Sequence, residues 1–175
     1  MTIAPDELAA RCRAIELLVL DVDGVLTDGV IAVDDNGVET KNFFVRDGSA
    51  IVRWRNAGGH VAILSGRSAR CVDIRAGELG IAPVVQGAAD KGEAFLAIVD
   101  DFGLNAHQAC FMGDDTPDLP ALALAGLPAC PADAAAEVVA ACRYVANAPG
   151  GRGAVREVVD LILGHRGAGQ APAAP

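Results

Sequence analysis

The chain has 175 residues, 52% of them hydrophobic and only 4% aromatic, with 14 Lys and Arg against 23 Asp and Glu for a net charge of −9. That length fits one domain with a sizeable core, and the apolar content excludes a disordered chain. The acidity argues against nucleic acid, whose phosphates require a basic face, and no apolar run approaches the roughly 20 residues of a membrane helix.

Met1 to Glu7 lack a basic stretch followed by an apolar one, so no secretory leader is expected. Leu17 to Val22 reads as a buried strand. Val30 to Val33 and Val38 to Val45 flank Asp34-Asp35-Asn36-Gly37, and Asn-Gly is a strong hairpin signal. Asp47 to Ala57 is a predicted helix stopped by Gly58-Gly59, followed by a strand over Val61 to Leu64 and a helix from Arg67 to Leu79 ending at Gly80. Then come a short strand (Pro83 to Val85), a helix (Lys91 to Phe102), a strand (Ala109 to Met112) and a helix opened by Pro117 and running to Leu124. Pro128 to Cys130, Ala134 to Ala141 and Tyr144 to Ala146 supply strand, helix and strand, and Ala154 to Leu163 the last helix. Alternation of this kind predicts right-handed βαβ crossovers and a mostly parallel sheet, an α/β fold. Residues 1–164 form the expected domain, with a hairpin insertion at about 29–45. The Ala-, Gly- and Pro-rich segment 165–175 reads as a flexible tail. Cys12, Cys71, Cys110, Cys130 and Cys142 include no CxxC pair, which suits buried, reduced thiols of the cytosol.

In a parallel sheet, ligands sit beyond the carboxyl ends of the strands, so the residues that follow each strand matter most. The first is followed by Asp21-Val22-Asp23-Gly24, two carboxylates that are costly beside an apolar strand unless they hold a cation or do chemistry. Gly24 lets the backbone turn sharply and approach a ligand. Ser65-Gly66-Arg67 stands where a helix is expected to begin, a place where free N–H groups bind anions, although taken by itself the stretch is better read as an ordinary Ser cap. Lys91 lies in the first turn of its helix, where the dipole disfavours a cation. Gly113-Asp114-Asp115-Thr116-Pro117-Asp118 concentrates three acids that repel one another unless something positive lies between them. Acid, hydroxyl, amine and acid at four strand ends suit a phosphate and Mg²⁺.

At these four positions the sequence resembles the haloacid dehalogenase superfamily of phosphohydrolases. Asp21-Val22-Asp23-Gly24-Val25-Leu26-Thr27, Ser65-Gly66-Arg67, Lys91 and Gly113-Asp114-Asp115-x-x-Asp118 carry that resemblance in order, spacing and strand context. Within it, Thr27-Asp28-Gly29, the short hairpin, Val45-Arg46-Asp47-Gly48 and Gly150-Gly151-Arg152-Gly153-Ala154-Val155-Arg156-Glu157 look like the capless 3-deoxy-D-manno-octulosonate 8-phosphate phosphatases. The resemblance implies a three-layer α/β/α Rossmann-like fold and hydrolysis of that sugar phosphate, in lipopolysaccharide precursor synthesis, through an aspartyl-phosphate. Asp21 would be the nucleophile and Asp23 the acid and base. Gly24, Ser65, Gly66 and Lys91 would hold the phosphoryl group, with Lys91 also neutralising charge. The Asp21 and Asp114 carboxylates and the Asp23 carbonyl would hold Mg²⁺, supported by Asp115 and Asp118. Arg46, Arg67 and Arg152 are candidates for the sugar's carboxylate, which an Arg fork can meet with two bonds.

With no cap domain in so short a chain, the resemblance also implies a homotetramer built through the hairpin, in which neighbouring subunits close the site. Three alternatives compete. One is the same chemistry on a nine-carbon, sialic-acid-like sugar 9-phosphate. Another is a phospho-receiver, which needs no acid two residues beyond its phosphorylated Asp, so Asp23 speaks against it. The third is an inactive scaffold, in which such costly polar groups would be expected to decay.

Overall fold

The computed structural model describes residues 4–166. Helix α1 (Pro5–Ala14) leads into β1 (Leu17–Leu20), and β2 (Ala32–Val33) and β3 (Glu39–Thr40) form a separate antiparallel hairpin. There follow α2 (Val45–Asn56), β4 (His60–Leu64), α3 (Arg70–Leu79), β5 (Val84–Val85), α4 (Lys91–Asp101) and β6 (Ala109–Met112). The described residues end with α5 (Leu119–Leu124), β7 (Leu127–Cys130), α6 (Ala136–Ala141), β8 (Tyr144–Val145) and α7 (Ala154–Arg166).

The six main strands pair in parallel in the order β5-β4-β1-β6-β7-β8. All four residues of β1 are at most 1% exposed, as expected of a central strand covered on both faces. Alternate residues point to opposite layers. Leu18 and Leu20 join Trp54 of α2 and Val155, Val158 and Ile162 of α7 on one side. Leu17 and Val19 join Phe95 and Ile98 of α4 and Leu122 of α5 on the other. The fold is therefore the expected three-layer α/β/α arrangement. From β1 the order runs outward through β4 and β5 on one side, and through β6, β7 and β8 on the other. The connections reverse between β1 and β6, which opens a crevice beyond their carboxyl ends.

Several boundaries differ from the sequence expectation. The first strand stops at Leu20, because the N–H groups of Val25, Leu26 and Thr27 all turn back onto the carbonyl of Val22. Those apolar residues are buried in a turn, where a hydrophobic run looks the same as a strand. The hairpin strands shrink to two residues each, and Val45 opens α2. Helix α3 begins at Arg70, three residues later than expected, so Ser65-Gly66-Arg67 occupies a loop and the helix N–H groups expected beside it do not follow directly. The expected Pro117–Leu124 helix divides into a 3₁₀ turn over Thr116–Asp118 and α5. Helix α1 had no counterpart in the sequence reading. Helix α7 extends through Arg166, past the boundary at 164, and the remainder of the expected tail lies outside the described residues.

Helix α7 is preceded by Gly153, which has no side chain to cap it. Asp47 of α2 substitutes, accepting from the backbone N–H of Gly153 (3.1 Å) and Arg156 (2.8 Å). Glu157 in turn accepts from the Tyr144 hydroxyl (2.8 Å) and from the backbone of Asn147 and Ala148, fixing the loop from β8 to α7. Replacing Asp47 by Ala should lower stability by about 1–2 kcal/mol through loss of this cap. Urea denaturation checks that figure, and an unchanged midpoint would show that α7 does not depend on it.

Candidate active site

Asp21 leaves β1 with its N–H still donating to the carbonyl of Met112 on β6, at 3.0 Å, so the strand ladder itself positions the residue. The residue is 5% exposed. Lys91, brought in by the first turn of α4, pairs with Asp21 Oδ2 at 2.9 Å and donates to Asp118 Oδ1 at 2.6 Å. The N-terminus of that helix is capped independently by Asp90, which accepts from Gly92 and Glu93. Lys91 is thus held in a first turn by two carboxylates rather than by solvent, which resolves the conflict with the helix dipole. Burial disfavours its ammonium, yet Asp21 and Asp118 outweigh burial and raise its pKa above the ordinary value.

Asp118 is 1% exposed and both of its oxygens are engaged. Oδ1 meets Lys91, and Oδ2 accepts from the backbone N–H of Asp114 (2.9 Å) and Asp115 (3.3 Å), so Asp118 shapes the loop that carries Asp114. Asp115 turns to its own backbone and accepts from the Thr116 N–H at 2.7 Å. Burial and then Asp118 push Asp21 up to about 7, against the pull of Lys91. Burial, Asp118 and Asp115 do the same to Asp114.

Carboxylate oxygens of Asp21, Asp114 and Asp118 lie within 4.8 Å of one another. Three acids share one lysine, and carboxyls pushed so far up are short of positive charge. A hard divalent cation with oxygen ligands fits this donor set. Gly24 makes room for it. At a φ of +79°, a Cβ there would come within 1.9 Å of Asp114 Oδ2, so any side chain would displace that carboxylate. Behind this turn, Gly150 packs so closely that a Cβ would lie 1.8 Å from the Gly24 carbonyl oxygen, and the Gly151 N–H donates to Val25 O at 2.9 Å. The glycine pair of the C-terminal segment therefore braces the first loop.

Asp21, Asp23, Ser65, Gly66, Arg67, Lys91, Asp114, Asp115 and Asp118 line one cleft of about 280 Å³, together with Gly29 and Pro117. Ser65 is 3% exposed, and its hydroxyl oxygen accepts from the Arg67 N–H at 3.3 Å, leaving the hydroxyl hydrogen to donate. The Asp23 carboxylate stands apart from the other acids. Arg67 Nε lies 3.5 Å from its Oδ2, and Lys41, just beyond β3, donates to its Oδ1.

Two expected sugar-binding residues do not reach this cleft within one chain. Arg46 is exposed and lies over the Phe44 ring, 5.9 Å from its centre. Arg152, its side chain 60% exposed, pairs with Asp28 at 3.4 Å. Conversely, sequence reasoning missed Lys41 and Glu39. They belonged to a hairpin read as a mere insertion, although charges two residues apart on a short strand share one face and point to a common partner. Lys41 is buried, its side chain 2% exposed, and its Nζ also lies 2.7 Å from Glu39 Oε1. Burial lowers its pKa, but Asp23 and Glu39 more than compensate and keep it charged.

Comparison with known proteins shows three kinds of likeness. Residues 70–156 match the haloacid dehalogenase-like hydrolase family. The chain is 41% identical over 157 residues to the 3-deoxy-D-manno-octulosonate 8-phosphate phosphatase KdsC of Escherichia coli (strain K12), covering 90% of this chain and 84% of that protein. It superposes with a TM-score of 0.91 and 37% identity on the 3-deoxy-D-manno-octulosonate 8-phosphate phosphatase of Moraxella catarrhalis, solved with magnesium, phosphate and KDO, covering 93% and 94% of the two chains. A cobalt-bound form of the enzyme from Haemophilus influenzae gives a TM-score of 0.87 at 39% identity, with 89% and 91% covered.

Proposed function

Because the chain belongs to the 3-deoxy-D-manno-octulosonate 8-phosphate phosphatases, a family of haloacid dehalogenase-like hydrolases, we propose that its cleft hydrolyses that sugar phosphate to KDO and inorganic phosphate. The observation that carries this reading is the convergence of Asp21, Lys91, Asp114 and Asp118 at the reversal between β1 and β6, with Ser65 and Asp23 at the same cleft.

Lys91 engages Oδ2 of Asp21, which leaves Oδ1 to attack phosphorus. The Asp21–phosphorus bond forms as the bond from phosphorus to the sugar O8 breaks, and Asp23 gives that oxygen its proton. Water then attacks the aspartyl-phosphate, passing its proton to Asp23, and the Asp21–phosphorus bond breaks to release phosphate. The Ser65 hydroxyl and the Gly66 N–H hold the phosphoryl oxygens, and Gly24 lets the backbone approach them. Lys91 neutralises charge both on Asp21 and on the transferring group. The Asp21 and Asp114 carboxylates and the Asp23 carbonyl would hold Mg²⁺, which when bound shields the anionic phosphoryl group from the attacking carboxylate. Asp118 fixes the Asp114 loop, and Asp115 caps the turn beside it.

Arg67 would meet the sugar's carboxylate from within the chain, a role supported by its position in the lining of the cleft. Arg46 and Arg152 would serve from the mouth of a shared site. A homotetramer built through the hairpin supplies that arrangement, supported by the exposure of Val30 (65%), Ile31 (50%), Val33 (57%) and Val38 (55%) around β2 and β3. The reading places the enzyme in the cytoplasm, supported by five free cysteines, four of them buried. No helix among the described residues is long and apolar enough to cross a membrane.

Phosphate release from the eight-carbon and nine-carbon sugar phosphates, with Mg²⁺ and with a chelator, tests the function. The eight-carbon substrate should turn over faster, and only with the metal. Equal rates on the two sugars, or turnover that survives chelation, would overturn the substrate or the metal. Independently of turnover, Mg²⁺ at 100 times its dissociation constant should stabilise the fold by about 2.7 kcal/mol, read as a rise in melting temperature.

A further inference from the structure

The hairpin is joined to the catalytic loops by a closed ring of alternating charge. Lys41 lies between Asp23 Oδ1 and Glu39 Oε1, and Arg67 lies between Glu39 Oε2 (2.8 Å) and Asp23 Oδ2 (3.5 Å). Two members follow core strands β1 and β4, and two come from the hairpin. Each oxygen of Asp23 therefore faces its own cation. The two contacts are not equivalent: Arg67 is 48% exposed and its Nε is beyond hydrogen-bond reach of Oδ2, whereas Lys41 is buried and hydrogen-bonded.

We propose that Lys41 is the positioning residue for Asp23, holding its carboxyl group in the orientation needed to exchange a proton with the leaving oxygen, with Glu39 holding Lys41 in turn. A short carboxylate side chain at the mouth of a cleft has two free torsions, and a proton donor must stand within hydrogen-bond reach of its target. A buried ammonium bonded to Oδ1 fixes those torsions at one end and leaves Oδ2, 3.5 Å from Arg67 Nε, without a hydrogen-bond partner of its own. Displacement by even an ångström of a group that must meet the reacting atoms lowers rates by about 100-fold. The hairpin thereby takes part in the chemistry without touching the substrate.

The inference rests on the phosphatase reading, and two esters separate its failure from that of the reading. An alkyl sugar phosphate needs a proton on its leaving oxygen, whereas p-nitrophenyl phosphate releases a stable phenolate without one. Since kcat/KM covers the steps up to formation of the phosphoenzyme, it is the quantity to compare. Lys41→Met should lower kcat/KM for the sugar phosphate by about 10- to 100-fold and for the aryl ester far less. Lys41→Arg, which restores a cation, should recover most of the loss. Lys41→Gln retains a donor for Oδ1 and provides a gentler variant should the Met protein fail to fold, with melting curves recorded for all three. Equal losses on both esters, or none on the sugar phosphate, would overturn the role of Lys41. A parent chain that releases phosphate from neither ester would instead overturn the phosphatase reading itself.

Discussion

Asp21→Asn should reduce phosphate release by on the order of 10⁴-fold or more while leaving the fold as stable as the parent or more so. The two effects separate because the carboxylate serves the reaction and burdens the fold. As nucleophile it has no substitute nearby: both oxygens of Asp118 are occupied, and Asp114 stands on the opposite side of the crevice, against Gly24. An amide oxygen does not form the acyl phosphate, so only background hydrolysis remains. In the fold, Asp21 is one of three neighbouring acids served by one lysine, and burial with Asp118 pushes its pKa up to about 7. Asn keeps the shape and removes a charge that its surroundings resist. Steady-state kinetics and thermal melting without metal check the two halves. A variant that retains turnover, or one that melts well below the parent, would contradict the assignment.

Lys91→Met should do the reverse, harming both stability and rate. Lys91 is 6% exposed and is the cation that Asp21 and Asp118 share. Its removal leaves buried carboxylates uncompensated, at a cost of about 3–5 kcal/mol. The rate should fall by about 10²–10³-fold or more, the magnitude typical of losing one preorganised charge partner of the transition state. Adding Asp118→Asn in the Lys91→Met background should recover part of the stability, since one of the stranded charges is gone, but none of the rate. Urea denaturation of the two single variants and the double variant gives the coupling between the residues directly. Simple additivity would show that the ion pair seen in the structure contributes nothing in solution.

The strand ends were the legible part of the sequence. Asp21, Ser65, Lys91 and Asp114 can be picked out because each follows or precedes an apolar block and is chemically out of place there. Their convergence then follows from a parallel sheet. Less visible were features whose logic is long-range. The end of β1 depends on three N–H groups turning back onto Val22, and the apolar Val22, Val25 and Leu26 disguise that turn as strand. Asp47, read only as part of a family-like stretch, proves to cap a helix more than a hundred residues away. Helix α1 did carry a local signal, Pro5 followed by Asp6 and Glu7, but its thin apolar stripe of Leu8 and Cys12 was easily overlooked. Lys41 looked like hairpin polarity because nothing local reveals that the hairpin folds back over Asp23. Arg46 and Arg152 mark the limit of one chain, since neither enters its own cleft.

The bracing of the Gly24 turn by Gly150 and Gly151 has a bearing on biosynthesis. The loop that carries Asp21 and Asp23 is made well before its rear support, Gly150 and Gly151, and before the helix that follows them. A ribosome-bound chain can pair β1 with β4 and β6 long before that support exists. Such a nascent chain would have every catalytic side chain in its sequence and still lack the backbone shape that brings them to bear. Competence should therefore come only once Gly150, Gly151 and the helix that follows them have left the exit tunnel and closed against the first loop.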